Sequence, residues 1–256
     1  MCELFGISSE NNVCANGLLK EFFSHSERNR DGWGLAVFRN GAVSLEKEPV
    51  QALRSTYLRD RLSRGVTSKS LFAHIRKATV GTLEYSNCHP FVWDDSTGRT
   101  WTLMHNGTMF EPEEIIPYFR RQEGTTDSEG ILLRIIDGID RKTGEQGELT
   151  VEERFHTLDE IICGLVPGNK LNLLIYDGEL LYAHTNYRDS LYVWQQPGRS
   201  IFATSPLQSG TWKPLPMCKL FAYRDGRCVL EGTPHGQEYI DDRSALDPYY
   251  MTYSSL

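Results

Sequence analysis

The chain has 256 residues, 39% hydrophobic and 24% charged, with a formal net charge of −7. That is enough chain for one large domain with a substantial core, and the acidic balance without a basic run argues against nucleic acid or an anionic membrane surface as a partner. No stretch approaches the roughly 20 apolar residues of a membrane span, and Met1-Cys2-Glu3-Leu4 has neither the basic nor the apolar region of a secretion signal.

In chain order, Glu3 to Ser8 reads as a first strand. Leu35–Phe38 and Ala42–Glu46 flank Asn40-Gly41, a hairpin signal because both turn residues tolerate positive φ. Ala52 to Arg64 reads as a helix, Ser70 to Ile75 and Thr100 to His105 as core strands, and Pro112 as the opening of a short helix. Thr126-x-x-Glu129 has the pattern of a capping box before the apolar face Ile131, Leu132, Ile135 and Ile136; Thr150-x-x-Glu153 repeats it before a helix running toward Gly164. Strands follow at Lys170–Tyr176, Leu180–His184, Leu191–Gln195, Ile201–Ser205, Lys219–Tyr223 and Cys228–Glu231, with turns at Asp177-Gly178 and Asp225-Gly226. Many antiparallel strands with a few helices predict an α+β fold. Periodicity does not separate a layered sandwich from a two-sheet barrel covered by helices.

The six cysteines are scattered without a C-x-x-C pair, which predicts reduced thiols and a cytoplasmic location. Cys2 differs from the rest. Its side chain at the second position is small enough for Met1 to be removed, which leaves a thiol beside a free α-amine. Such an amine titrates near about 7.7–8.0, suited to taking a thiol proton and returning it to a leaving amine. The ordinary alternative is a second residue that merely opens a strand.

Three further segments carry polar groups at the ends of predicted elements. Arg76, in His74-Ile75-Arg76-Lys77-Ala78-Thr79-Val80-Gly81, can hold a carboxylate by two parallel hydrogen bonds; as an ordinary feature it is half of a surface Arg-Lys pair. Asn106-Gly107, after Met104-His105, offers a side-chain amide and a backbone N–H to one developing oxyanion, or a plain hairpin turn. Asp127, in Thr125-Thr126-Asp127-Ser128-Glu129, can pair with a substrate ammonium or serve the start of its helix. His74, His89 and His105 lack metal-ligand spacing and obvious carboxylate partners, so no metal is expected.

Taken together, Cys2 with Phe5-Gly6, Arg76-x-Ala78-Thr79-x-Gly81, His105-Asn106-Gly107 and Thr126-Asp127-Ser128-Glu129 resemble, in order and spacing, the class II glutamine amidotransferases of the N-terminal nucleophile hydrolases. Asp31-Gly32-Trp33-Gly34 and His89-Pro90-Phe91 are similar to a compact stand-alone subgroup, and the resemblance covers about residues 2–205. It implies a four-layer αββα sandwich of two mainly antiparallel sheets, one domain over residues 2–256, and no cofactor. It implies Cys2 as nucleophile with its α-amine as base, Asn106 and Gly107 as the oxyanion hole, and Arg76, Thr79, Asp127 and His105 as substrate-binding residues. The implied partner is glutamine or another γ-glutamyl compound, with any acceptor chemistry on a separate subunit. Hydrolysis of a γ-glutamyl peptide or thiol metabolite and a non-catalytic glutamine-sensing role stand as alternatives. Lys77 and Val80 depart from the aromatic residue and the histidine that many members carry there.

Overall fold

A computed structural model of the chain describes residues 2–78 and 81–241. Among them lie β1 (Glu3–Cys14), α1 (Asn16–Ser24), β2 (Trp33–Arg39), β3 (Ala42–Glu48), α2 (Thr56–Ser63), β4 (Thr67–Ile75), β5 (Phe91–Asp94), β6 (Thr100–Thr108), α3 (Asp127–Gln146), α4 (Val151–Leu165), β7 (Lys170–Tyr176), β8 (Leu181–Thr185), β9 (Tyr192–Gln196), β10 (Arg199–Ala203), β11 (Lys213–Pro214), β12 (Lys219–Arg224) and β13 (Arg227–Glu231). One sheet has the order β11-β9-β10-β1-β4-β2-β3 and the other β13-β12-β8-β7-β6-β5. Every recorded strand pair is antiparallel.

Three apolar clusters define the layers. Phe5, Phe22, Leu35, Leu58 and Leu71 join α1 and α2 to the outer face of the first sheet. Leu4, Phe72, Met104, Leu174 and Phe202 fill the space between the sheets. Leu103, Ile131, Ile135, Leu158 and Leu173 join α3 and α4 to the second sheet. Neighbours such as Leu4 and Phe5 fall into different clusters because successive strand side chains point to opposite faces. The expected α+β sandwich of four layers is the observed architecture, and no helix among the described residues is long and apolar enough to cross a membrane.

Local details differ from the sequence reading in physical ways. The β1 strand runs past Ser8 to Cys14 across an irregularity in its pairing with β4. The helix α1 was not anticipated, although Leu19, Phe22 and Phe23 form its buried face. The expected helix 52–64 is broken, because Ser55 is extended (ψ 115°) and caps Leu58 N at 2.9 Å; Ala52–Arg54 is a separate turn of 3₁₀ helix. The segment after Pro112 makes only turns and the short 3₁₀ piece Ile116–Tyr118. The capping box is complete at Thr150 and Glu153. At α3 only half of it forms: Thr126 accepts from Glu129 N, while the Glu129 carboxylate turns to the N–H groups of Glu123 and Gly124 at 2.7 and 2.8 Å. Asn40 and Gly41 both have positive φ (50° and 77°), as a tight hairpin turn demands.

The turn between β7 and β8 is built on a buried charge. Asp177 Oδ1 accepts from Glu179 N and Leu180 N at 2.9 and 2.7 Å, and Oδ2 accepts from Arg154 Nε and Tyr182 Oη at 3.1 and 2.8 Å. Removing one partner of such a pair strands the other charge. Asp177→Ala is therefore expected to cost about 3–5 kcal/mol in urea unfolding; a loss below about 1 kcal/mol, the level of an exposed pair, would contradict this account.

Burial also decides the charge state of two histidines. It holds His74 down to about 3, with the positive Arg76 adding to the effect, and it holds His184 down to about 3 with His235 adding to it. The unfolded chain protonates these rings as pH falls through about 6.5, whereas the native state resists until about 3. Their contribution to stability is thus complete above about pH 6.5 and lost progressively below it. Unfolding free energies at about pH 7.5 and about pH 5 should show a steeper loss for the parent chain than for His184→Gln; equal slopes would refute the assignment.

Candidate active site

Alternation along three strands brings Cys2, Arg76 and Asn106 to one end of the space between the sheets. Leu4 faces that space, so Cys2, two residues earlier, shares its side. Phe72 faces it from β4, which places Arg76 on the same side; Met104 faces it from β6, and with it Asn106. The pairing of β1 with β4 aligns Glu3 with Ile75 and so brings Cys2 beside the chain leaving β4. The Cys2 thiol donates to Lys77 O at 3.3 Å, and the Lys77 N–H lies 3.2 Å from the sulfur. Burial pushes the thiol up from its ordinary value, while the Lys77 N–H and the Arg76 charge oppose that rise.

Cys2 and Asn106 line one cavity of about 350 Å³, together with Arg28, Lys77, Tyr187 and Asp189. A larger cavity, about 580 Å³, opens at the opposite end of the sandwich beside Asn40, Thr102 and Tyr176. It contains no thiol, and size alone does not make it the reaction site.

Asn106 and Gly107 lie within β6, paired with Asn172 and Leu171, so they are not a hairpin turn. A Cβ on Gly107 would stand 1.8 Å from Lys170 O and 2.4 Å from His105 Nε2, and only glycine lets the two strands approach this closely. His105 faces the other way, into the layer of α3. Its Nε2 donates to Lys170 O at 3.1 Å, and its Nδ1 lies 3.0 Å from Ser128 Oγ. Burial lowers its tendency to protonate. It stands behind the strand that presents Asn106 and is absent from the lining of the Cys2 cavity.

Arg76 is buried at 2% exposure, which removes the surface-pair reading. Its guanidinium donates to Thr82 O at 3.0 Å and Gly81 O at 3.3 Å, bracing the loop after β4. Asp127 opens α3 just after the cap Thr126; its Oδ2 accepts from Met109 N at 2.9 Å, and its Oδ1 lies 3.2 Å from Ser128 Oγ. Neither Arg76 nor Asp127 belongs to the lining of the cavity beside Cys2. Thr79 lies outside the described residues. Trp33 is wholly buried against Phe23 and bonds Glu48 through Nε1 at 3.0 Å, so packing accounts for it.

Two residues that frame the site were not singled out from the sequence. Asn87, wholly buried, ties Thr82 O to Thr125 through Nδ2 and accepts from Thr125 N at 2.7 Å, joining the Arg76 loop to the entry of α3. Asp31 holds Ala78 N at 2.8 Å. No spacing flags Asn87, whereas Asp31 sits in the Asp31-Gly32-Trp33-Gly34 cluster. Among the described residues, no three His, Cys, Asp or Glu side chains converge as a metal site.

An uncharacterized protein of Methanocaldococcus jannaschii, MJ1515, is 28% identical over 258 residues, covering 90% of this chain and 71% of that protein. A Haemophilus influenzae protein whose name includes the words glutamine amidotransferase is 28% identical over 155 residues, 60% of this chain and 51% of its own length. The glutamine phosphoribosylpyrophosphate amidotransferase of B. subtilis shares the fold at a TM-score of 0.66 and 16% identity, over 89% of this chain and 48% of that one. This chain therefore spans about half the length of the latter two proteins. The family model for class-II glutamine amidotransferases matches residues 1–199, and the chain belongs to that family.

Proposed function

We propose that the chain is an amidohydrolase that releases ammonia or an amine from a γ-glutamyl group through a thioester on Cys2. The observation that carries this reading is that the Cys2 thiol and the Asn106 amide, far apart in sequence, line one cavity, with a backbone N–H already directed at the sulfur. Sγ attacks the γ-carbonyl carbon while its proton passes to the α-amine freed by loss of Met1. The carbonyl oxygen becomes an oxyanion held by the Asn106 side chain and the Gly107 N–H. The C–N bond breaks as the α-amine returns the proton to the departing nitrogen, leaving the γ-glutamyl thioester. Water, deprotonated by the same amine, attacks the thioester carbon; the C–S bond breaks and the thiol regains its proton. In this reading Arg76 and Asp127 grip the α-carboxylate and α-ammonium of the γ-glutamyl head, Thr79 adds a polar contact, and His105 orients Ser128 and Asp127 from behind.

A second reading keeps this chemistry and changes the leaving group. Ammonia needs almost no room, whereas the 350 Å³ cavity carries Arg28, Lys77, Tyr187 and Asp189. That lining favours a leaving amine with polar or charged groups of its own, as in a γ-glutamyl peptide. Relative kcat/KM for glutamine and for γ-glutamyl dipeptides decides between the two.

Cys2→Ala is expected to abolish turnover while leaving the melting curve close to that of the parent; full turnover by this variant would end the proposal. Asn106→Ala should lower kcat by about 10²–10³ with little change in KM, because an oxyanion donor acts mainly in the transition state. Asp127→Asn should chiefly raise KM, because the ammonium grip holds both states. If Asn106→Ala raised KM alone, its role would be misassigned.

The base requires a free α-amine. With Met1 attached, the Cys2 nitrogen is a planar amide whose lone pair is delocalised. Protein shown by intact mass to retain Met1 should fold but not turn over, and treatment with a methionine aminopeptidase should restore the rate. Equal rates from the two forms would exclude the α-amine as base.

A further inference from the structure

We infer that Asp31 is a positioning residue for the nucleophile: its backbone N–H holds the Arg76–Lys77 peptide that presents the Lys77 N–H to Cys2, and its carboxylate holds the next peptide, whose Lys77 carbonyl accepts from the thiol. The inference rests on the reading of Cys2 as the reacting thiol. Three consecutive N–H groups leave the end of β4, and they do not share one destination. Arg76 N donates to Gly32 O at 2.8 Å, Lys77 N points at Cys2 Sγ at 3.2 Å, and Ala78 N donates to Asp31 Oδ2 at 2.8 Å. The opposite strand answers with Asp31 N donating to Arg76 O at 3.1 Å. Asp31 and Gly32 thus grip the chain on both sides of Lys77. Backbone bonds continue the β2–β4 pairing as far as Arg76, and beyond it Ala78 N meets a side-chain oxygen instead of a backbone one. Asp31 supplies that oxygen.

The consequence for the thiol follows from geometry. An N–H donor steadies a thiolate only while it points at the sulfur; the planar Arg76–Lys77 unit carries that N–H, and the Lys77–Ala78 unit that the Asp31 carboxylate holds is joined to it at the Lys77 Cα. Without the Ala78 anchor, the Lys77–Ala78 peptide loses the hydrogen bond that Asp31 makes to its N–H, while its carbonyl still faces the thiol. The peptide that the carboxylate holds carries the Lys77 carbonyl that accepts from the thiol, so this anchor acts on that contact directly and on the Lys77 N–H through the shared Cα. Asp31 is not part of the lining of the Cys2 cavity; it meets the Cys2 contacts through the two peptides on either side of Lys77.

The test compares Asp31→Ala with Asp31→Asn in the full, N-terminally processed chain. The asparagine side-chain oxygen can still accept from Ala78 N, whereas alanine cannot. Two quantities are read: kcat and KM with glutamine or the preferred γ-glutamyl dipeptide, and the rate of Cys2 alkylation by iodoacetamide at fixed pH, followed on the Cys2 peptide by mass spectrometry. Asp31→Ala is expected to lower kcat and the alkylation rate together by about tenfold or more with KM within about twofold, since small misplacement of a reacting group costs rate rather than binding. Asp31→Asn should recover most of both. An alanine variant as fast as the parent in both measurements overturns the inference. So does a loss that asparagine fails to rescue, which would assign the effect to charge, or an alanine variant whose KM alone rises. Failure of the underlying reading has a different signature: Cys2→Ala would retain turnover, while alkylation would still report whether Asp31 positions the thiol.

Discussion

The register between β1 and β4 is the constraint on which the site depends. Glu3 pairs with Ile75 and Leu4 with His74, and this pairing lays the start of the chain beside Arg76 and Lys77. Because strand side chains alternate, a slip of one residue would send Cys2 to the face covered by α1 and bring Glu3 into the space between the sheets. The slip is prevented by the apolar residues on both faces. Leu4 and Phe72 pack between the sheets, while Phe5, Ile7, Leu71 and Ala73 pack against the helices. The geometry around Cys2 is thus held in part by the same hydrophobic burial that stabilises the first sheet.

Around that end, the polar groups are arranged so that buried charge meets fixed partners. Arg76 is buried, yet its guanidinium is bonded to the carbonyls of Gly81 and Thr82. Asn87 carries the same loop to Thr125, immediately before the cap of α3 and Asp127. The loop after β4 and the entry of α3 that carries Asp127 are therefore parts of one hydrogen-bonded frame, although they belong to different sheets' surroundings. His74 and His89 stack at 4.2 Å within the buried region, and burial keeps both neutral.

Much of the fold was legible from period and turn chemistry. Asn40-Gly41 marks its hairpin because few other pairs accept two positive φ values, and Thr150 with Glu153 marks a helix start by local hydrogen bonds alone. Elements decided by packing were harder to read. The helix α1 has no side-chain cap at Ala15; its Asn16 instead bonds Leu62 O and Val66 N, contacts made with residues distant in the chain. Ser55 breaks an apparently continuous helical segment because its hydroxyl caps the next turn. Glu129 leaves its expected capping partner for two N–H groups of the preceding loop, where it also serves the frame of the site.

The site shows the same division. Residue types, order and spacing pointed to Cys2, Arg76, Asn106, Gly107 and Asp127 through the resemblance to the class II glutamine amidotransferases that they make together. Each also had an ordinary local interpretation that sequence could not dismiss. Tertiary structure removed two of these: Asn106-Gly107 is strand and not turn, and Arg76 is buried and not a surface cation. It also turned His105 away from the cavity toward Ser128 and brought in Asp31 and Asn87. The amino-acid sequence by itself determined which chemical groups were present and on which strand faces they would fall, since alternation is a local property of the chain. Which faces meet, and which backbone N–H reaches the sulfur, depended on contacts between residues far apart in sequence, and those exist only once the sheets have packed.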